Sequence, residues 1–324
     1  MAESKLLLLR ARPAEKYLIS FVPMTLTRVL TALVLMPLAI VIVLFGSTAM
    51  VAIAVSVLTV LALWEYFALG DAIGHRAYRL WTTACSLLLI AQQWRVTKPF
   101  AYLAVISFTD QPKTPGCSAQ AAAASHRIAT IYSPGSLILL FVLGITSLTL
   151  FTRRPLVESL PAAGISSSAL LLVAFPLSFA VPLHGYRLGG PRLLLFALAT
   201  TWAADTVAYF VGRSLGRHPL APKISPKKTW EGSMGGLLGS LLIAYAFHFW
   251  IFIPLPHLFA MAFLGNIAGQ MGDLLESACK RSAGVKDSGG LLPGHGGILD
   301  RIDALILCIP VIWYYLILVN PPTL

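Results

Sequence analysis

Eight charged or imidazole side chains crowd into the 27 residues from Ser277 to Asp303: Lys280, Arg281, Lys286, Asp287, His295, Asp300, Arg301 and Asp303. Lysine and arginine supply positive charge for phosphates, and carboxylates can hold a divalent metal that bridges phosphate oxygens. The glycines between them (Gly289, Gly290, Gly294, Gly296, Gly297) let backbone N–H groups turn inward at low steric cost. His295 has two readings: a donor to a phosphate oxygen or a leaving group, or a tie for the loop backbone. The mixture suits phosphoryl-group chemistry better than it suits a structural loop.

Neighbouring residues extend the pattern. Asp273, Ser277 and Lys280 fall along one face of a helix, and Asp300 and Asp303, three apart, share a face at the start of the next. Two carboxylate faces meeting across the glycine-rich loop would make an oxygen-only Mg²⁺ site, because magnesium keeps waters and substrate phosphates and needs few protein ligands. Ser225, Lys227 and Lys228, in SPKKTWEG, read either as a second phosphate clamp or as lipid-headgroup contacts. Asp205 lies deep in an apolar segment, where a carboxylate costs about 2.5–3.5 kcal/mol on the insertion scale. Such a group persists when paired, metal-bound or functional. The plain alternatives are ion pairs, Asp205 with Arg213 and Glu276 with Lys280.

The elements that must carry these residues are membrane helices. Hydrophobic residues make up 57% of the chain and charged ones 11%, too few charges for a soluble protein of 324 residues. Apolar runs of spanning length recur, so the expected fold is an all-α, polytopic integral membrane protein with about eight or nine transmembrane helices. Spans are expected at Val29–Phe45, Thr48–Leu69, Ser136–Phe151, Ser168–His184, Pro191–Val211, Ser233–Phe252, Leu258–Met271 and Ala304–Leu318. Residues 80–108 read equally as one tilted span, two short ones, or a span with a re-entrant piece, and 109–134 as an extramembrane loop. Glu65, beside Trp64 and Tyr66, reads as interfacial. Residues 1–28 lead into an uncleaved first span. The scattered cysteines (Cys85, Cys117, Cys279, Cys308) indicate neither a zinc site nor a disulfide framework.

Charge gives the orientation. The net charge of +11 lies in short loops between spans, which favours lipid headgroups over nucleic acid as the partner. Two spans separate loop 212–231 from loop 272–303, so both face one compartment. Their nine lysines and arginines make it the cytoplasm. Residues 1–200 then form a lipid-facing scaffold and 201–324 the catalytic region.

The run S-x-x-K-R-x4-K-D-x5-P-G-H-G-G-x-x-D-R-x-D, from Ser277 to Asp303, resembles the signature of the phosphatidate cytidylyltransferases, the CDP-diacylglycerol synthases. DTVAYFVGR (Asp205 to Arg213), SPKKTWEG (Ser225 to Gly232) and Gly272-Asp273 agree with it. The likeness covers roughly 200–303; the N-terminal half offers only a hydropathic one. The resemblance implies that CTP and phosphatidic acid give CDP-diacylglycerol and pyrophosphate at a bacterial inner (plasma) membrane. It implies Mg²⁺, with K⁺ as a second metal of a paired site, and leaves a homodimer open. By the same carry-over Asp273 and Asp300 are metal ligands supported by Asp205 and Asp303. Lys280, Arg281, Lys286 and Arg301 bind phosphate, with Ser225, Lys227 and Lys228. The nearest rivals are other CTP-dependent lipid enzymes, a polyprenol kinase or a CDP-archaeol synthase. An ion-coupled transporter would also carry Asp205 in a span, but the chain has no internal repeat.

Overall fold

The computed structural model describes residues 33–109, 134–152, 154–291 and 296–319, with the backbone alone at 96 and 98–109. His295 therefore lies outside the described residues, as do residues 1–28 and 110–133 of the expected loop. The helices are α1 (Leu33–Phe45), α2 (Thr48–Ala72), α3 (Arg79–Thr109), α4 (Pro134–Phe151), α5 (Leu156–His184), α6 (Gly190–Leu215), α7 (Trp230–His248), α8 (Leu255–Ser282) and α9 (Leu299–Val319). Six of them, α2, α4, α5, α6, α8 and α9, are long and apolar enough to cross a membrane.

The expected count of eight or nine is not reached by that criterion, for reasons visible in the residues. The described part of α1 is short. The ambiguous stretch 80–108 forms one helix, but Gln92, Gln93, Trp94, Arg95 and Lys98 interrupt its apolar character. In α7, six glycines and serines before Leu241 dilute the hydropathy.

Local chemistry explains the breaks. Ser47 Oγ accepts from Met50 N at 3.2 Å and starts α2, one residue after Gly46 closes α1. Within α5, a π turn at Leu170–Ala174 and the prolines Pro176 and Pro182 interrupt the regular ladder. Between α6 and α7 the chain makes a hairpin, β1 (Pro219–Ala221) antiparallel to β2 (Ser225–Thr229). This small sheet is an addition to the expected all-α fold, and it carries Ser225, Lys227 and Lys228.

The site is positioned by close helix contacts. α6 packs along α7, α7 on α8, and α8 on α9. At the α6–α7 seam a Cβ on Gly236 would stand 3.0 Å from the Ala204 carbonyl oxygen. At the α8–α9 seam one on Gly272 would stand 2.5 Å from that of Asp303. Small residues let these backbones approach, which in lipid is where packing energy comes from. The same contacts bring Asp205, Asp273 and Asp303 toward one another. Phe196, Leu63, Leu258, Met261, Leu299 and Ile312 fill the core among α2, α6, α8 and α9. α4 buries only Phe141 and Ile145, as expected of a helix whose remaining faces meet lipid.

Candidate active site

α8 runs unbroken past the expected end at Met271, so Asp273, Glu276, Ser277 and Lys280 share one helix. Lys280, 9% exposed, forms ion pairs with Glu276 on its own helix and with Asp300 in the first turn of α9, the latter at 2.5 Å. The Glu276–Lys280 pairing weighed as a plain alternative thus forms, but inside a larger cluster. Asp300 is held from all sides: its second oxygen accepts from Ser288 N and Oγ, both at 3.0 Å, and from Gly297 N at 2.8 Å. Gly296 has φ +79°, a left-handed conformation, and a Cβ there would stand 2.9 Å from Asp300 Oδ2.

A second group lies beside it. Lys228 on β2 pairs with Asp273, whose other oxygen is 3.5 Å from Ser277 Oγ. Asp205 on α6 and Asp303 on α9 stand within electrostatic range of Asp273, and Arg301 also acts on Asp205. The Asp205–Arg213 ion pair weighed as a plain alternative does not form; Arg213 donates to Tyr209 Oη at 2.8 Å. Of these groups Asp205, Arg213, Lys228 and Asp273 line a cavity of about 570 Å³, together with Lys227 and Ser233.

The hairpin that delivers the lysines is tied at both ends. Thr229 Oγ1 accepts from Gly232 N at 3.1 Å and caps α7. Glu231 accepts from the backbone N–H groups of Arg217 and His218 at 3.1 and 3.3 Å, and lies 2.6 Å from His218 Nδ1. At the turn, Arg281 Nε donates to the Ile224 carbonyl at 3.3 Å and its Nη1 to Val285 at 3.2 Å. Arg281 therefore links hairpin to loop. Lys286, Asp287 and Arg301 are exposed around the same loop, and Ser225, half-buried opposite Ala221, does not line the cavity.

Other residues of the site carry little signal in the sequence. Gln270 joins Ser233 and, at 2.6 Å, Asn266, whose amide reaches Ser240 Oγ at 3.0 Å. This polar ladder runs from the cavity down the α7–α8 seam. Glu65, read from the sequence only as an interfacial residue near the end of its span, is 2% exposed and bonds Ser288, Ile298 and Leu299. With Gly297 and Ser288 N on Asp300 and Ile298 and Leu299 on Glu65, four backbone donors near the glycines serve carboxylates instead of facing out toward phosphate.

Among the described residues, no three His, Cys, Asp or Glu side chains close into a ready-made metal cage. The donor set of Asp205, Asp273 and Asp303 nevertheless fits a hard divalent cation. It is oxygen-only, and magnesium completes its shell with water and phosphate.

Fold and site together define a helical membrane protein whose acids and lysines converge beside a cavity at one end of the bundle. Residues 26–319 match the cytidylyltransferase family, and the chain belongs to that family. It is similar to the phosphatidate cytidylyltransferase of Bacillus subtilis (strain 168), 39% identical over 158 residues, 48% of this chain and 58% of that protein. The phosphatidate cytidylyltransferase of Thermotoga maritima is 38% identical over 188 residues, 54% of this chain and 66% of the relative. That of Haemophilus influenzae is 44% identical over 148 residues, 41% and 47% respectively. The chain spans about half the length of the curated relatives it matches.

Proposed function

We propose that this protein is a CTP:phosphatidate cytidylyltransferase working at the cytoplasmic face of a bacterial inner membrane. The observation that carries the reading is the convergence of two lysine–carboxylate pairs, Lys228 with Asp273 and Lys280 with Asp300, from the hairpin, α8 and α9. Convergent charges, one pair buried and one open to the cavity, suit two polyanionic substrates. α1, α3 and α7 would complete nine spans around the six apolar helices.

The reaction needs no covalent enzyme intermediate. An ionised oxygen of the lipid phosphate attacks the α-phosphorus of CTP; the bond to the β-phosphate oxygen breaks, and pyrophosphate leaves with the electron pair. Lys227, Lys228 and Arg213, lining the cavity, offset the repulsion between the two phosphates and stabilise the charge that develops on the leaving group. Lys280 and Asp300 hold each other in place next to the reacting groups. Asp205, Asp273, Asp303 and Asp300 would hold Mg²⁺, with K⁺ beside it, and the bound metal supplies charge neutralisation at the phosphate oxygens. The membrane-end location keeps acyl chains in lipid while CTP arrives from water.

Purified protein given labelled CTP and phosphatidate should release pyrophosphate and incorporate CMP into lipid. Release of CDP without pyrophosphate would point to γ-phosphoryl transfer, as by a polyprenol kinase, and remove the proposal.

A further inference from the structure

A carboxylate from the N-terminal half reaches into the site. Glu65, on α2, accepts two backbone hydrogen bonds, from Ile298 N to Oε1 at 2.9 Å and from Leu299 N to Oε2 at 2.8 Å, and its Oε2, 2.9 Å from Ser288 Oγ, shares that single hydroxyl hydrogen with Asp300. The partners lie 223 to 234 residues further along the chain. A Cβ on Gly289 would stand 2.6 Å from Oε1, so the loop closes around the carboxylate with no room for a side chain.

A buried carboxylate is costly unless donors compensate it. Here every donor belongs to the segment that carries Asp300. The first N–H groups of a helix have no partner within it, and Glu65 meets two of them at the start of α9. Ser288 extends the contact: its hydroxyl lies 2.9 Å from Glu65 and 3.0 Å from Asp300, while its N–H is committed to Asp300. One serine thus touches both carboxylates. An apolar residue at position 65 could fill space but could not set the angle of the Asp300 side chain.

We propose that Glu65 is a positioning residue that aims Asp300 at Lys280 through Ser288 and the first turn of α9. The kinetic arm of its test rests on the cytidylyl-transfer reading. The full-length protein in detergent, as wild type, Glu65→Gln, Ser288→Ala and the double variant, is assayed for CDP-diacylglycerol formation and for backbone hydrogen exchange. In Glu65→Gln, kcat should fall about 100-fold, the loss typical when a group orienting a ligand is removed. The KM for CTP should stay within about threefold, because the cavity lysines are untouched. The double variant should lose no more than about threefold beyond the worse single one, the non-additivity of residues acting through one chain of contacts. Near-normal turnover, or losses that simply multiply, would overturn the proposal.

The exchange arm is independent of substrate. Amides from Gly297 to Asp303 should exchange at least about tenfold faster in Glu65→Gln, with α6 to α8 unchanged. Unaltered exchange there, or a rise throughout the protein, overturns the positioning role. If wild type makes no CDP-diacylglycerol, the reaction assignment fails and the exchange arm alone decides whether Glu65 holds this turn.

Discussion

Lys228 closes onto Asp273 across 45 residues of sequence and joins the β1–β2 hairpin to helix α8. The contact fixes one wall of the cavity, because both residues line it. Under the proposed cytidylyl transfer it pairs a lysine facing the phosphates with an acid of the proposed metal site.

Breaking that contact should cost activity from either end. Lys228→Ala is expected to lower kcat/KM for CTP about 100-fold, the scale seen when one preorganised electrostatic contact is lost. Asp273→Ala should abolish turnover while the protein still inserts. Membrane-fraction assays of CDP-diacylglycerol formation read both; retained activity in Asp273→Ala would take it out of the metal site.

Asp300→Asn keeps the shape but leaves Lys280 beside only one ion-pair partner, Glu276. Turnover should fall by at least about 1,000-fold, with melting behaviour near wild type, since Glu65 still caps α9. Thermal unfolding in detergent followed beside initial rates separates the two effects.

Lys227 lines the cavity without appearing in any of the ion pairs described, so Lys227→Ala should raise the KM for CTP about tenfold and leave kcat nearly intact. Unchanged kinetics with weaker association to anionic vesicles would instead assign the side chain to lipid headgroups.

Chelation tests the oxygen-rich donor set. EDTA should stop turnover and added Mg²⁺ restore it, with Ca²⁺ a poor substitute because it prefers more ligands at longer distances. Full activity in EDTA would leave Asp205, Asp273 and Asp303 without a metal role.

Packing at the α8–α9 seam should matter as much as charge. In Gly272→Ala the added methyl meets the Asp303 carbonyl, backbone that cannot turn aside. The helices must separate, at a cost of about 1–3 kcal/mol, and Asp273 should drift from Asp303. A lower unfolding temperature with a matching drop in kcat is the expected outcome.

What the amino-acid order determined is the part of the molecule that repeats or clusters locally. Apolar runs made helices of Thr48–Ala72, Pro134–Phe151 and Gly190–Leu215 near their expected bounds, because lipid forces each backbone to satisfy itself within its own segment. Spacing placed Asp300 and Asp303 at the head of α9, and the crowding of charge from Ser277 onward marked the candidate site. Tertiary structure alone decided which polar residues meet. Glu65, Ser288 and Gln270 carry ordinary local signals, and the backbone donors of the loop looked available for phosphate until folding committed them to Glu65 and Asp300. The reason is that hydropathy reports how apolar a helix is, not which neighbour its one polar side chain faces. Where spans pack through glycine faces, that pairing depends on rotation and depth about each axis, and contacts hundreds of residues apart set both.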